Sequence, residues 1–312
     1  MDPVAGMPAH MYSRDIPRIP IIPLEEIKQA TNHFAKQNII QKKSDDTWIV
    51  HKGELSGKKL AFISIRRYYI NSLDLNVLNE LTKHKNIVSI FGSCEEHITD
   101  RILVLEHPTR GGLDKYVSST EHLIWLTRLE ICLDIASGLH YLQNHPKGLD
   151  FHHECLTSAS IHLDENWQAK IQLITPRALA SAPSTSLRLG KLGYVDPLYM
   201  QTGRQQSEIY SVGVILFELL CARPAVTYDE EGGEQFLSKL ARSHYEKRTL
   251  IEIIDPVLWV QMNRDSFTVF SELAYQCLSE DLSIRPTISA VKKQLKKARK
   301  LQQVSHSQFL KG

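Results

Sequence analysis

The chain has 312 residues, 42% hydrophobic and 23% charged, with a formal net charge of +2. That length suits one two-lobed domain or two small ones with a sizeable core, the composition is that of a soluble globular protein, and the net charge demands neither nucleic acid nor an anionic membrane as partner. Five cysteines, Cys94, Cys132, Cys155, Cys221 and Cys277, are scattered without a CxxC pair, which argues against a disulfide framework or structural zinc and for a reducing compartment.

Residues 1–22, rich in Pro, Met and small side chains, read as a flexible arm. They lack a signal-peptide pattern, and Asp2 stands where myristoylation needs Gly. A helical pattern starts at Pro23, with Leu24, Ile27, Ala30 and Phe34 at helical spacing and Glu25 and Glu26 in the first turn. Short β-branched and aromatic runs follow at 48–51, 60–65, 87–91 and 101–105, with one helix near 73–83. After Pro108 the pattern turns helical: 125–143 carries Leu129, Leu133, Ala136 and Leu139 on one face, and 208–220 is apolar on nearly every face. A strand-like segment at 166–173 precedes that second helix, and further helices fall near 233–246, 266–278 and 287–304. The pattern predicts an α+β chain: an arm (1–22), a small β-rich lobe with a leading helix (23–107), a larger helical lobe (108–300) and a basic, polar tail (301–312). Lys292, Lys293, Lys296, Lys297, Arg299 and Lys300 read as a solvated helix face. No apolar run approaches the ~18 residues that cross a bilayer. The expected location is the cytoplasm, with recruitment to the plasma membrane through a partner and no direct insertion.

Several stretches, in order, resemble the receptor-like (Pelle-type) kinase family of plants. They are IPLEEIKQATNHF, HKNIVSIFGSCEE, RILVLEHPTRGGLDKYV, LEICLDIASGLHYLQ, LDENWQAKI, GYVDPLYM, SEIYSVGVILFELLCARPA and CLSEDLSIRPTISAV. The resemblance covers about residues 20 to 300 and implies the two-lobed protein-kinase fold, with a remnant hinge at Leu105, Glu106 and His107.

A kinase positions ATP and magnesium mainly by charge, so the family's working parts can be compared with this sequence. The glycine loop corresponds to QKKSDDTWIVHKG, which has no Gly between Ile40 and Gly53 and places Asp45 and Asp46 where they would repel phosphate. A plain hairpin is expected there. The phosphate-binding lysine falls on Ile63, Ser64 or Arg66, and no Lys occurs from Leu60 through Thr82. ISIR matches best, making Arg66 the replacement; its helix partner is Glu80 or, without a gap, Leu75. Anchored on LDENW, the catalytic base becomes Cys155, the phosphate-contacting Lys becomes Thr157, and the metal-binding Asn becomes Ser160; a one-residue shift puts Glu154, Leu156 and Ala159 there instead. The metal-binding Asp becomes Leu173, an aliphatic where a hard cation wants oxygen. The Glu of the PE pair becomes Leu198 while its partner survives as Arg285, so Arg285 is expected to have a substitute partner or to reach solvent. His152 to Cys155 is metal-like in composition, but the HExxH spacing is absent and four consecutive side chains do not converge easily.

These departures imply a pseudokinase: a non-enzyme with ATP and magnesium binding weak or absent, no metal site and no nucleic-acid partner. It would act as scaffold, decoy or allosteric partner of an active receptor-like kinase or a plant immune receptor. The alternative is an unconventional, weakly ATP-binding serine/threonine kinase. Ser181, Ser184, Thr185 and Ser186, beside Arg177, Arg188 and Lys191, are the expected modification or contact sites.

Overall fold

The computed structural model describes residues 19–44, 47–66, 75–95, 100–146, 156–173, 192–198 and 204–309. They form two compact units, one running to Lys83 and resuming at Ser89–Leu105, the other taking His84–Val88 and everything from Glu106 onward.

The first unit is a sheet with a helix packed on it. Helix α1 (Leu24–Ala30) has Glu25 and Glu26 in its first turn. It ends sooner than the apolar spacing out to Phe34 suggests. The Thr31 hydroxyl donates to the Ile27 carbonyl at 2.8 Å and accepts the Phe34 N–H at 3.1 Å, and Asn32, His33 and Phe34 turn into the left-handed region. Strands β1 (Ile39–Lys42), β2 (Trp48–Leu55), β3 (Lys58–Arg66), β4 (Ile90–Cys94) and β5 (Asp100–Glu106) form one sheet in the order β1-β2-β3-β5-β4. The β2–β3 ladder runs unbroken from Leu55 opposite Lys58 to Trp48 opposite Ile65, closed by a turn at Ser56 and Gly57 with positive φ at both, the geometry two-residue hairpins favour. Helix α2 (Leu75–Leu81) follows β3 and buries Leu78 and Leu81. Ile22, Ile27, Leu60, Phe62, Cys94, Ile102 and Val104 form the core under α1. Gly53 has a packing role: a Cβ there would lie 2.4 Å from the Ala30 carbonyl oxygen, so only glycine lets β2 pass beneath the end of α1.

Residues 19–22, assigned above to the flexible arm, are docked. The Ile22 N–H donates to the Ser93 carbonyl and the Ser93 N–H to the Pro20 carbonyl, both at 2.9 Å, and Ile19 and Ile22 are buried.

The second unit begins with the short strand β6 (Gly111–Gly112), which pairs with β7 (Ile161–Leu163), itself paired with β8 (Ala169–Ile171). Its helices are α3 (Trp125–Asn144), α4 (Arg204–Cys221), α5 (Leu237–Glu246), the single turn α6 (Pro256–Trp259), α7 (Arg264–Cys277) and α8 (Ile288–Phe309). Strands β9 (Val226–Tyr228) and β10 (Glu234–Phe236) form a small hairpin before α5, where the sequence pattern put helix from 233. Helix α3 packs on α8, and α7 on both α4 and α8; Gly213 sits where a Cβ would come within 2.7 Å of the Cys277 Cβ. Arg128, fully buried in α3, donates to the carbonyls of Leu123, Leu219 and Ser119 at 2.7, 3.1 and 3.1 Å. Helix α8 continues to Phe309, into the segment assigned above to the polar tail. The segment 84–88, which includes the start of the strand-like run expected at 87–91 in the β-rich lobe, belongs to the helical unit: Asn86 Nδ2 donates to the Ala169 carbonyl at 3.0 Å, and Ile171 N donates to the Asn86 carbonyl at 2.9 Å.

Candidate active-site residues

In the first unit, β1 and β2 pair as an antiparallel hairpin, with Ile39 opposite His51 and Lys42 opposite Ile49. The tip of this hairpin, with Asp45 and Asp46, lies outside the described residues. On β3, Ile63 is buried and Ser64, on the opposite face, is half-buried, while Arg66 is the last residue of the strand. Glu80 and Leu75 are both half-buried in α2. Leu105 is buried in β5.

In the second unit, Glu106 and His107 are half-buried. Glu106 Oε1 accepts from Lys170 Nζ at 2.9 Å, and the same ammonium donates to the Lys85 carbonyl at 3.0 Å. Strand β8 is thus fastened on one side to Glu106 and on the other to 84–88. Asp134 on α3 adds a further anchor, accepting the Ala169 N–H at 3.1 Å; burial raises its carboxyl above the usual range against that hydrogen bond. His162, between β6 and β8, is held neutral: burial, then the charges of His107 and Lys115, push it down to about 4.

Glu154 and Cys155 fall outside the described residues, as do His152 and His153 and the hydroxyls Ser181, Ser184, Thr185 and Ser186. Thr157 and Ser160 are brought together. They cap a single 3-10 turn reciprocally: Thr157 Oγ1 accepts the Ser160 N–H at 3.2 Å, and Ser160 Oγ accepts the Thr157 N–H at 3.0 Å. Ser160 Oγ–H then donates to the Thr157 carbonyl at 2.8 Å. The Thr157 and Ser160 hydroxyls therefore serve the local backbone. Gln172 N donates to the Ser160 carbonyl at 2.9 Å, which brings the adjacent Leu173 beside this turn. Leu173 is buried, 7% exposed.

Sequence reasoning missed two constellations. The first surrounds Glu218 on α4. Its Oε1 accepts from Tyr194 Oη (2.8 Å), Ser158 Oγ (3.2 Å) and Ala225 N (3.0 Å). Its Oε2 is buried and has no partner among the described residues. Burial outweighs the three donors and pushes the carboxyl up to about 8. A lone Glu inside the apolar run VGVILFELLC was the available signal. The second is Arg285, whose Nη1 and Nη2 bind Asp196 Oδ2 and Oδ1 at 2.5 and 2.9 Å, with both side chains at 0% exposure. Its Nε donates to the Ser279 carbonyl at 2.6 Å, and Nη1 also to that of Gln206 at 3.1 Å. Arg285 thus has the substitute partner expected of it; Asp196 sits only two positions before Leu198, in the same GYVDPLYM stretch.

Residues 70–295 match the family model described as protein tyrosine and serine/threonine kinase. The chain belongs to the protein kinase family. This kinase domain is similar to the receptor-like protein kinases ANXUR2 (33% identical, 90% of this chain and 34% of the relative), FERONIA (32%, 89% and 32%) and HERK 1 (33%, 90% and 35%), all from Arabidopsis thaliana. The chain spans about a third of the length of these relatives. The β-rich first unit and helical second unit agree with the α+β kinase architecture read from the sequence.

Membership corrects two expectations. The chain was expected not to be an enzyme, and to take no ATP or magnesium. Its family match and its relatives, which carry kinase names, point instead to a serine/threonine kinase, an enzyme class that works on ATP with Mg²⁺. The weighting of Leu173, Thr157 and Ser160 as decisive set single positions against a match that spans the domain. At the two positions that the sequence comparison aligned with the metal ligands, Leu173 ends in an aliphatic side chain and the Ser160 hydroxyl donates to the Thr157 carbonyl. No described helix is long and apolar enough to cross a membrane.

Proposed function

We propose that the chain is an unconventional serine/threonine kinase domain of the receptor-like class, which takes ATP weakly, transfers phosphoryl groups slowly and works alongside another receptor-like kinase. The observation that carries this reading is the family match over residues 70–295; consistent with a retained kinase fold is the buried Arg285–Asp196 pair, bonded also to the carbonyls of Ser279 and Gln206. It fastens 192–198, the stretch resembling the end of the family's activation segment, to the start of α4. Domain-wide similarity to proteins named receptor-like protein kinases supports the same assignment. The slow rate follows from Leu173, Thr157 and Ser160. Positioning and electrostatic stabilisation supply almost all of a kinase's rate, so altered residues at these positions slow transfer. The purified chain should show a small ATP-dependent rise in melting temperature and slow incorporation of label from γ-labelled ATP with Mg²⁺ or Mn²⁺. Absence of both would overturn the reading.

A second reading has one specific observation in its favour: the Thr157 and Ser160 hydroxyls are committed to each other's backbone beside a buried Leu173. The chain would then signal chiefly by binding, as scaffold, decoy or allosteric partner of an active receptor-like kinase or an immune receptor. Retention of an active kinase of the class by the chain, unaffected by ATP, supports it; retention only when the chain is ATP-loaded counts against it.

A further inference from the structure

Helix α8 concentrates charge that the fold does not neutralise. Between Ile288 and Phe309 it carries Lys292, Lys293, Lys296, Lys297, Arg299 and Lys300 and no acidic residue. Against a whole-chain charge of +2, six cations on this helix leave −4 for the remainder. Val291, Leu295 and Ala298 form its buried seam, and Lys293, Lys296, Lys297 and Lys300 are exposed. Among the described residues only Arg299 meets a carboxylate, Glu130 at 3.0 Å; none of the five lysines does. Lys292 with Lys296, Lys293 with Lys297 and Lys296 with Lys300 are like charges one turn apart, an arrangement that destabilises a helix. The patch extends beyond α8. The Lys292 ammonium is pushed down by its burial and then by Lys296 and Lys85. His84, whose ring stacks on Tyr141 at 4.9 Å, is pushed down by burial and then by Lys292, Lys85 and His140.

We propose that this lysine face of α8, with Lys85 at its margin, docks on an anionic lipid bilayer. The choice of partner rests on the type and spread of the cations. A phosphopeptide is held by the planar, bidentate fork of arginine, and the one arginine on the face is engaged by Glu130. Lysines are compact charges on flexible stems, suited to a fluid layer of headgroups, and clusters of four to eight on an amphipathic helix have that use. From Lys292 to Lys300 the helix rises roughly 12 Å, enough to meet several headgroups rather than one phosphate. The low net charge of the chain conceals this asymmetry.

The test is co-sedimentation of the full chain with vesicles of phosphatidylcholine alone or with added phosphatidylserine. Binding should require phosphatidylserine and fade as salt shortens the screening length. The variant Lys293→Gln/Lys296→Gln/Lys297→Gln/Lys300→Gln should lose about 100-fold or more in apparent affinity. A variant with the same charge change at exposed lysines elsewhere, Lys36→Gln/Lys52→Gln/Lys59→Gln/Lys247→Gln, should lose much less. The first variant removes like-charge pairs, so its melting temperature should not fall, and a melting curve for each separates lost binding from lost fold. Binding to phosphatidylcholine alone, equal losses in both variants, or retained binding by the first would overturn the proposal. So would tighter binding to a doubly phosphorylated acidic peptide than to the phosphatidylserine vesicles.

Discussion

Arg285→Met keeps side-chain volume while removing the guanidinium. In the intact protein that group makes four hydrogen bonds: two to Asp196, one to the Ser279 carbonyl and one to the Gln206 carbonyl. After substitution Asp196 keeps the Leu198 N–H at 2.9 Å and the Ser207 hydroxyl at 3.3 Å but loses its opposite charge, in a site with no solvent exposure. Breaking a buried ion pair from one side costs about 3–5 kcal/mol. For a chain of this size that corresponds to a fall of roughly 10 °C in melting temperature. The double variant Asp196→Asn/Arg285→Met removes the stranded charge and should lose about 2 kcal/mol less than the sum of the single variants. Urea unfolding followed by circular dichroism, with the denaturant slope unchanged, gives the three values. A loss below about 1 kcal/mol in Arg285→Met, or strict additivity in the double variant, would refute the view that this pair anchors 192–198.

Two further outcomes follow from the same region. Glu218 has a folded-state value raised to about 8 from 4.5, chiefly by burial, so its contribution is fully present below the unfolded value and is lost as pH rises from about 4.5 through about 8. Stability of the wild type should therefore decline by roughly 1 kcal/mol per pH unit across that window relative to Glu218→Gln, read from unfolding curves at stepped pH. Leu173→Asp places a carboxylate where only 7% of the residue is exposed; it should destabilise by on the order of 1–3 kcal/mol and leave label incorporation from γ-labelled ATP unchanged, because one substitution changes one part of a constellation that acts as a unit.

Much of the fold was legible because apolar spacing reports burial. Trp125, Leu129, Leu133, Ala136 and Leu139 mark α3, and the run around Val214 to Leu220 marks α4, buried as its composition required. Boundaries set by polar side chains were not. Thr31 stops α1 through its own hydroxyl, and Asn86 assigns 84–88 to the helical unit through two bonds to a strand far along the chain. At the candidate site the residue types at Ser160 and Leu173 could be read directly. That Ser160 closes a turn with Thr157 could not, since spacing alone does not distinguish a hydroxyl facing a ligand from one facing its own backbone. The partner of Arg285 was open for a related reason: charge complementarity required one, but only packing selects Asp196. The inference to a non-enzyme failed because it read function from single positions, whereas kinship is carried by the whole domain.

Strand β4 ends the five-stranded sheet, and the docked residues 19–22 lie along its outer side, with Ile21 bridging Ser93 in parallel and the backbones exchanging hydrogen bonds. An uncovered edge strand is a template for pairing with another chain. This short stretch thus acts as a guard on solubility as much as an addition to the sheet. Shortened proteins beginning at Pro23 should keep α1 and the strands yet associate edge to edge through β4 in proportion to concentration, whereas those beginning at Ile19 should stay dispersed.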